Sequence, residues 1–182
     1  MAGRPRDKNL DRLILRGAEK GVRESGYEGF SIEGLARDLG IAKTTIYTRW
    51  PSRTALLDAV LAPRIATPPS GLPNRQLLLR MLADDMRLAA SPEGHAVVQL
   101  VLAARRPGVS EARGVFDALQ RRRADYRRVL TVLSHRADED AVEAAVDLLV
   151  GAVWGRIIVA TRASRISPDD LAATVLALIE SV

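Results

Sequence analysis

The chain has no cysteine and only two histidines, His95 and His135, among its 182 residues. The first absence excludes disulfides, thiolate metal sites and cysteine nucleophiles. The second leaves no His-x-x-x-His pair, so no metal is expected. No apolar run reaches the roughly 20 residues that a membrane-spanning helix needs. The most apolar stretch, Val146 to Val159, is interrupted by Asp147 and Arg156. The N-terminus is charged but carries no apolar segment of the signal-peptide kind, so a soluble, cytoplasmic protein is the expectation. A phosphate loop, a glycine-rich nucleotide motif and a workable Ser-His-Asp spacing are all missing. No catalytic residue and no cofactor are therefore assigned, and an enzyme is not expected.

What is present is ordinary in bulk and unusual in one place. Apolar residues make up 47% and charged residues 27%, which fits a globular chain long enough to bury a core. The formal charge of +5 favours a polyanionic partner. The informative stretch runs from Ser31 to Trp50. Ser31 has the side chain of a helix N-cap, Leu35, Ala36 and Leu39 share one helical face, and Gly40 stands where a left-handed residue ends a helix. A second helix, Lys43 to Trp50, buries Ile46 and Trp50. It turns Lys43, Thr44, Thr45, Tyr47, Thr48 and Arg49 outward. Together these make a helix-turn-helix.

That outer face combines a cation, threonine hydroxyls that suit base edges and a phenol that can reach a phosphate. No acid occurs between Lys43 and Arg53. A helical hairpin with a merely solvated polar face is the bland alternative. Ahead of it, Gly3-Arg4-Pro5-Arg6 is either a solvated tail or an arm whose Arg4 and Arg6 enter a minor groove. The span from Lys8 to Ser25 reads as an amphipathic helix capped by Gly26, with Tyr27 and Phe30 as core. After Trp50, Pro51 stops the reading helix and Ser52 caps the next, which carries Leu56, Leu57, Val60 and Leu61.

Residues 8 to 62 resemble the DNA-binding domain of the tetracycline-repressor (TetR) family of bacterial regulators. The likeness rests on Gly26-Tyr27, Phe30-Ser31, Leu35-Ala36, Gly40-Ile41, Lys43, Ile46-Tyr47, Trp50-Pro51-Ser52-Arg53 and Leu56. It implies phosphate contacts from Ser31, Tyr47 and Arg53. Lys43, Thr44, Thr45 and Thr48 match positions near phosphates and base edges. Ala42 departs from the family's usual serine cap. Thr48 and Arg49 replace a frequent aromatic and histidine, so the operator sequence is not transferable from relatives.

The proline-rich span from Ala62 to Asn74 marks a corner, dividing residues 1–62 from residues 63–182. Five further helices are expected: Arg75 to Ala90, Glu93 to Arg106, Ser110 to Arg136, Glu139 to Arg162 and Pro168 to Ser181. No strand pattern occurs, so the fold is all-α with about nine helices. The resemblance implies that the last two helices form a four-helix dimer interface. Leu148, Gly151, Gly155 and Val159 with Leu171, Val175 and Leu178 are its candidates, although small residues serve packing inside one subunit equally well. Met81, Met86, His95, Gln99, Phe116, Tyr126 and Trp154 are candidates for an effector cavity, with Asp85 or Asp147 as a polar anchor. Plain core is the alternative for each. Arg121, Arg122, Arg123, Arg127 and Arg128 read as a solvated helix face.

The expected function is that of a ligand-responsive, homodimeric repressor. It would bind double-stranded palindromic DNA and be released by a small apolar effector. A DNA-binding regulator controlled by a protein partner, or by nothing, is the alternative.

Overall fold

A computed structural model describes residues 7–65, 71, 73–106, 112–134, 138–159 and 166–180, with only the backbone of Val159. Arg4, Arg6, His135 and the side chain of Val159 lie outside the described residues. Among the described residues nine α-helices follow one another: α1 (Lys8–Gly29), α2 (Ile32–Leu39), α3 (Lys43–Tyr47), α4 (Arg53–Leu61), α5 (Arg75–Ala89), α6 (Pro92–Ala104), α7 (Arg113–Leu133), α8 (Glu139–Val159) and α9 (Pro168–Glu180). A short 3-10 turn, Ala62–Arg64, extends α4. Among the described residues there is no strand, and no helix is long and apolar enough to cross a membrane. The protein is all-α.

The helix ends follow local chemistry. Ser31, Ser52, Asn74 and Ser91 each accept a backbone N–H from the first turn of the helix they open. At α9, Ser167 Oγ accepts from the Asp170 N–H while the Asp170 carboxylate accepts from the Ser167 N–H, a reciprocal cap. Helix α1 runs further than its pattern suggests. The chain leaves helical geometry at Gly26 (φ 70°, ψ −178°), then makes one more turn to Gly29. Gly94 is required for a different reason. A Cβ there would run into the Leu88 carbonyl where α5 hands over to α6.

Two apolar cores hold the helices together. In the first, Ile14, Ala18 and Val22 of α1 pack with Leu56, Leu57 and Leu61 of α4 and with Ala96, Val97 and Leu100 of α6. The second joins α5, the later part of α7, α8 and α9 through Leu78, Met81, Leu82, Leu130, Val146, Leu149 and Ala172, all fully buried. Trp154 packs against both. The contacts of α6 with α1 are reinforced by Arg23, whose Nε donates to the largely buried Glu93 at 2.9 Å. Burial opposes the Glu93 charge, but Arg23 outweighs it and holds the carboxyl below its ordinary value.

The start of α7 is fixed from outside. Its N-cap, Ala112, has no side-chain acceptor. Instead Asp58 of α4 accepts from the Gly114 and Val115 N–H groups at 2.9 and 2.7 Å. A Cβ on Gly114 would approach an Asp58 oxygen to 2.8 Å, so the close fit needs glycine. Asp58 is thus a cap supplied across the fold, and it carries negative charge at the positive end of the α7 dipole. Asp58→Ala is expected to destabilise the protein by about 2 kcal/mol in urea denaturation, since two charge-assisted bonds are lost. A change within about 0.5 kcal/mol would show that the contact is dispensable.

Candidate nucleic-acid interface

Helix α2 and helix α3 meet through the turn at Gly40, whose φ of 64° is the left-handed value that a Cβ disfavours. The Gly40 and Ile41 N–H groups close the turn on Arg37 and Ala36. Ile46 and Trp50 are buried beneath the turn, as their spacing implies. The regular helix is shorter than Lys43 to Trp50: it ends at Tyr47. The chain then bends through Thr48 and Arg49, although Trp50 N–H still reaches the Ile46 carbonyl. Pro51 bars any continuation past Trp50, because the residue before a proline avoids helical geometry. At the other end Ala42 offers no side-chain cap. Ala42→Ser is expected to stabilise the domain by about 1 kcal/mol in thermal or urea unfolding. An unchanged midpoint would mean that the Lys43–Thr45 N–H groups already have adequate partners.

The outer edge of α3 is smaller than the sequence suggests. Lys43, Thr44, Tyr47 and Thr48 are exposed and Thr45 is half-buried. Tyr47 leaves 42% of its surface to solvent. Thr48 donates its hydroxyl to the Thr44 carbonyl at 2.7 Å, which leaves the oxygen free to accept. Lys43 Nζ lies 3.2 Å from Glu33 of α2, and both side chains are more than half exposed. A backbone hydrogen bond and then Lys43 hold the Glu33 carboxyl below its ordinary value. Exposed pairs of this kind contribute little, so the ammonium remains transferable to a phosphate.

Two arginines expected at this surface do other work. Arg49 is turned inward. Its Nε donates to Asp11 of α1 at 2.6 Å, its Nη1 donates to the Thr45 carbonyl, and its side chain is only 15% exposed. It fastens the reading helix to α1 and does not extend the outer edge. Arg53 braces the corner between α1 and α2, donating to the Phe30 carbonyl at 3.1 Å and to the Tyr27 carbonyl, with its guanidinium 4.2 Å from the Tyr27 ring centre. Ser31 is exposed, but its hydroxyl oxygen already accepts from Gly34. Sequence reading missed Asp11 and Glu33 because their partners lie 38 and 10 residues away. No local motif marks such pairs.

The C-terminal candidates scatter. Tyr126 and Trp154 line a cavity of about 410 Å³ between α6, α7 and α8, together with Val97, Val101, Leu119 and Val150. Met86 and His95 border a separate cavity of about 230 Å³. Met81 is core, and Gln99, Phe116 and Asp147 line neither cavity. Asp85 is not an anchor for a ligand. It is 1% exposed and both of its oxygens are occupied, by the Arg122 guanidinium at 2.7–3.0 Å and by the Tyr126 hydroxyl at 2.6 Å. Arg122 is therefore no part of a solvated face. Burial works against its charge, but Asp85 prevails and holds the guanidinium firmly protonated. Burial first, and then Asp85, keep Tyr126 neutral.

On α8 and α9 the interface candidates divide. Leu148 and Leu178 are 49% and 45% exposed, and Ile158, not anticipated, is 69% exposed. Among the described residues no atom lies within 4 Å of where a Cβ on Gly151 or Gly155 would stand, so neither glycine serves close packing among them. Leu171 and Val175 are buried at 9% and 2% and belong to the second core, which corrects their assignment to an outward face. They face inward because α9 uses that stripe against α5 and α8.

An all-α chain whose N-terminal helices form a helix-turn-helix, with no acid in the stretch from Lys43 to Arg53, has the build of a DNA-binding transcriptional regulator. Residues 14–60 match the model of the tetR family of bacterial regulatory proteins. Residues 14–60 thus form a tetR-type DNA-binding domain, and the protein is a transcriptional regulator of TetR type. It is 27% identical over 169 residues to the HTH-type transcriptional regulator Rv1556 of Mycobacterium tuberculosis, covering 87% of this chain and 79% of that one. Among solved structures it is similar in fold to the transcriptional regulator FadR of Bacillus subtilis in complex with stearoyl-CoA. That likeness has a TM-score of 0.63 and 16% identity, covering 94% of this chain and 99% of FadR. It is also similar to AibR in complex with isovaleryl coenzyme A and operator DNA, at a TM-score of 0.60 and 17% identity over 93% of this chain and 97% of AibR.

Proposed function

We propose that this protein is a homodimeric repressor that binds a palindromic operator and releases it when a small molecule enters the C-terminal helices. Residues 1–62 would form the reading domain and residues 63–182 the ligand and dimer domain. In each subunit α3 would lie in a major groove, with Thr44, Thr45 and Thr48 at base edges and Lys43 and Tyr47 on phosphates. Ser31 and Arg53 support the same surface as a cap and a brace, and an N-terminal arm carrying Arg4 and Arg6 would reach the adjoining minor groove. Two copies would present their α3 edges about 34 Å apart, one helical turn of DNA.

The observation that carries the dimer is the apolar face left open by α8 and α9. Helix α8 carries apolar residues on two sides. Val142, Val146, Leu149 and Val153 bury one side, while Leu148, Gly151 and Ile158 remain outside. A helix apolar on both sides is one that is covered on both sides. A second copy of the same face satisfies this with two-fold symmetry, which a palindromic operator also requires. The double variant Leu148→Glu/Leu178→Glu is expected to sediment as a folded monomer and to lose operator affinity. A variant that remains dimeric, or a wild type that is monomeric, overturns the arrangement.

The ligand half of the proposal draws on the cavity between α6, α7 and α8 and on the coenzyme A thioesters held by FadR and AibR. Ligand in that cavity and DNA on α3 would weaken each other reciprocally. Helix α6 and the Asp58 cap on α7 connect the two regions, since both join the ligand helices to α4 or α1.

A further inference from the structure

The cavity between α6, α7 and α8 has an uneven lining. Its walls are aliphatic except for Trp154, and its polar groups are Gln120, Tyr126 and three arginines: Arg105, Arg122 and Arg123. Among the described residues no carboxylate lines it. Arg123 is partnered by Glu143 and Asp147 outside the cavity. Arg122 is different, because it is 3% exposed and only part of its donor set is satisfied. Its Nε and Nη2 donate to Asp85, and Nη2 also donates to the Met81 carbonyl at 2.9 Å. Its Nη1 is buried and has no hydrogen-bond partner among the described residues.

A guanidinium has two hydrogen-bonding edges of fixed geometry. Asp85 takes the edge formed by Nε and Nη2, which leaves Nη1 on the far side from that carboxylate. A buried charged donor without an acceptor is unfavourable and calls for a partner. Arg122 also borders a second cavity, of about 490 Å³, beneath the end of α4. There Asp117 and Asp125 already oppose Arg121 and Arg122, so that space is electrostatically balanced. Of the two cavities that Arg122 borders, the one between α6, α7 and α8 has, among the described residues, cations and no acid in its lining.

We propose that this cavity takes an amphipathic organic anion, an apolar body ending in a carboxylate that accepts a hydrogen bond from Arg122 Nη1. The inference rests on the reading of the protein as ligand-responsive and narrows the class of effector. The apolar body lies along Val97, Val101, Val150 and Trp154, and Arg105 contributes positive charge at the rim. Selectivity comes from the buried guanidinium: a neutral alcohol offers a weaker acceptor, and an amine brings a repelled cation.

The test uses the full chain with straight-chain carboxylates of about six to twelve carbons, beside alcohols and amines of equal length, in titration calorimetry. The carboxylates are expected to bind at least about tenfold more tightly than the alcohols, and the amines not to bind. Arg122→Lys keeps a cation for Asp85 but loses the second edge, so it should lose the carboxylate preference while still binding alcohols. Val101→Trp fills the cavity and should abolish binding of both classes without lowering the melting temperature. Alcohols that bind as tightly as carboxylates, or a preference that survives Arg122→Lys, overturn the anion assignment and leave the ligand-responsive reading standing. Binding of none of the three classes overturns both.

Discussion

Asp85→Ala is expected to destabilise the protein by about 3–5 kcal/mol, measured by urea denaturation. The carboxylate is 1% exposed and is the counter-charge to an arginine that is 3% exposed. Removing it strands the Arg122 charge in the second core and leaves the Tyr126 hydroxyl without its acceptor. The pair itself need not contribute that much. Replacing the whole cluster with apolar residues of similar volume (Asp85→Leu, Arg122→Met and Tyr126→Phe together) is expected to come within about 2 kcal/mol of wild type. A single variant as mild as the triple one would show that water reaches the guanidinium.

The second large effect concerns DNA. Tyr47→Ala is expected to weaken operator binding by about a hundredfold or more at fixed salt, since a dimer loses a phosphate contact twice. Lys43→Ala should act differently. It removes an exposed cation from each subunit, weakens binding across all sequences alike, and lowers the slope of log affinity against log salt by about 2. Both variants should keep the wild-type melting temperature within about 1 °C, because neither side chain is part of the core. An equal loss for both, with unchanged salt slope, would place Lys43 at base edges and not on a phosphate.

Much of the fold is legible in the sequence because its signals are local. Ser31, Gly40 and Ser52 mark helix ends through contacts within a few residues, and the structure places all three as caps. The apolar spacing of Ile14, Ala18 and Val22, and of Ile46 and Trp50, identifies buried faces for the same reason. Where the reading errs, a distant partner decides. Arg49 has the right spacing for an outward face, yet Asp11 on α1 draws it in. Arg122 sits in a run of arginines that resembles a solvated stripe, but Asp85 lies 37 residues earlier and meets it in the core. Asp58 reaches across 56 residues to cap α7.

The interface candidates show a second limit. A helix apolar on two sides does not declare which side meets its own subunit. Leu171 and Val175 were as plausible outside as Leu148 and Leu178, and only packing against α5 and α8 separates them. The cavity was missed in most of its lining for a similar reason. Side-chain type singles out aromatic and methionine residues, while the walls are made by Val97, Val101 and Val150, which look like ordinary core.

The measurement that tests the central claim most directly is selection of bound duplexes from a random DNA pool by wild type and by Thr44→Ala, at one salt concentration. If α3 reads bases from each half of a symmetric pair, wild type enriches a palindrome with half-sites about ten base pairs apart. Thr44→Ala then enriches a palindrome relaxed at the same base in both halves. An identical consensus from the two proteins, or a consensus without two-fold symmetry, contradicts the account.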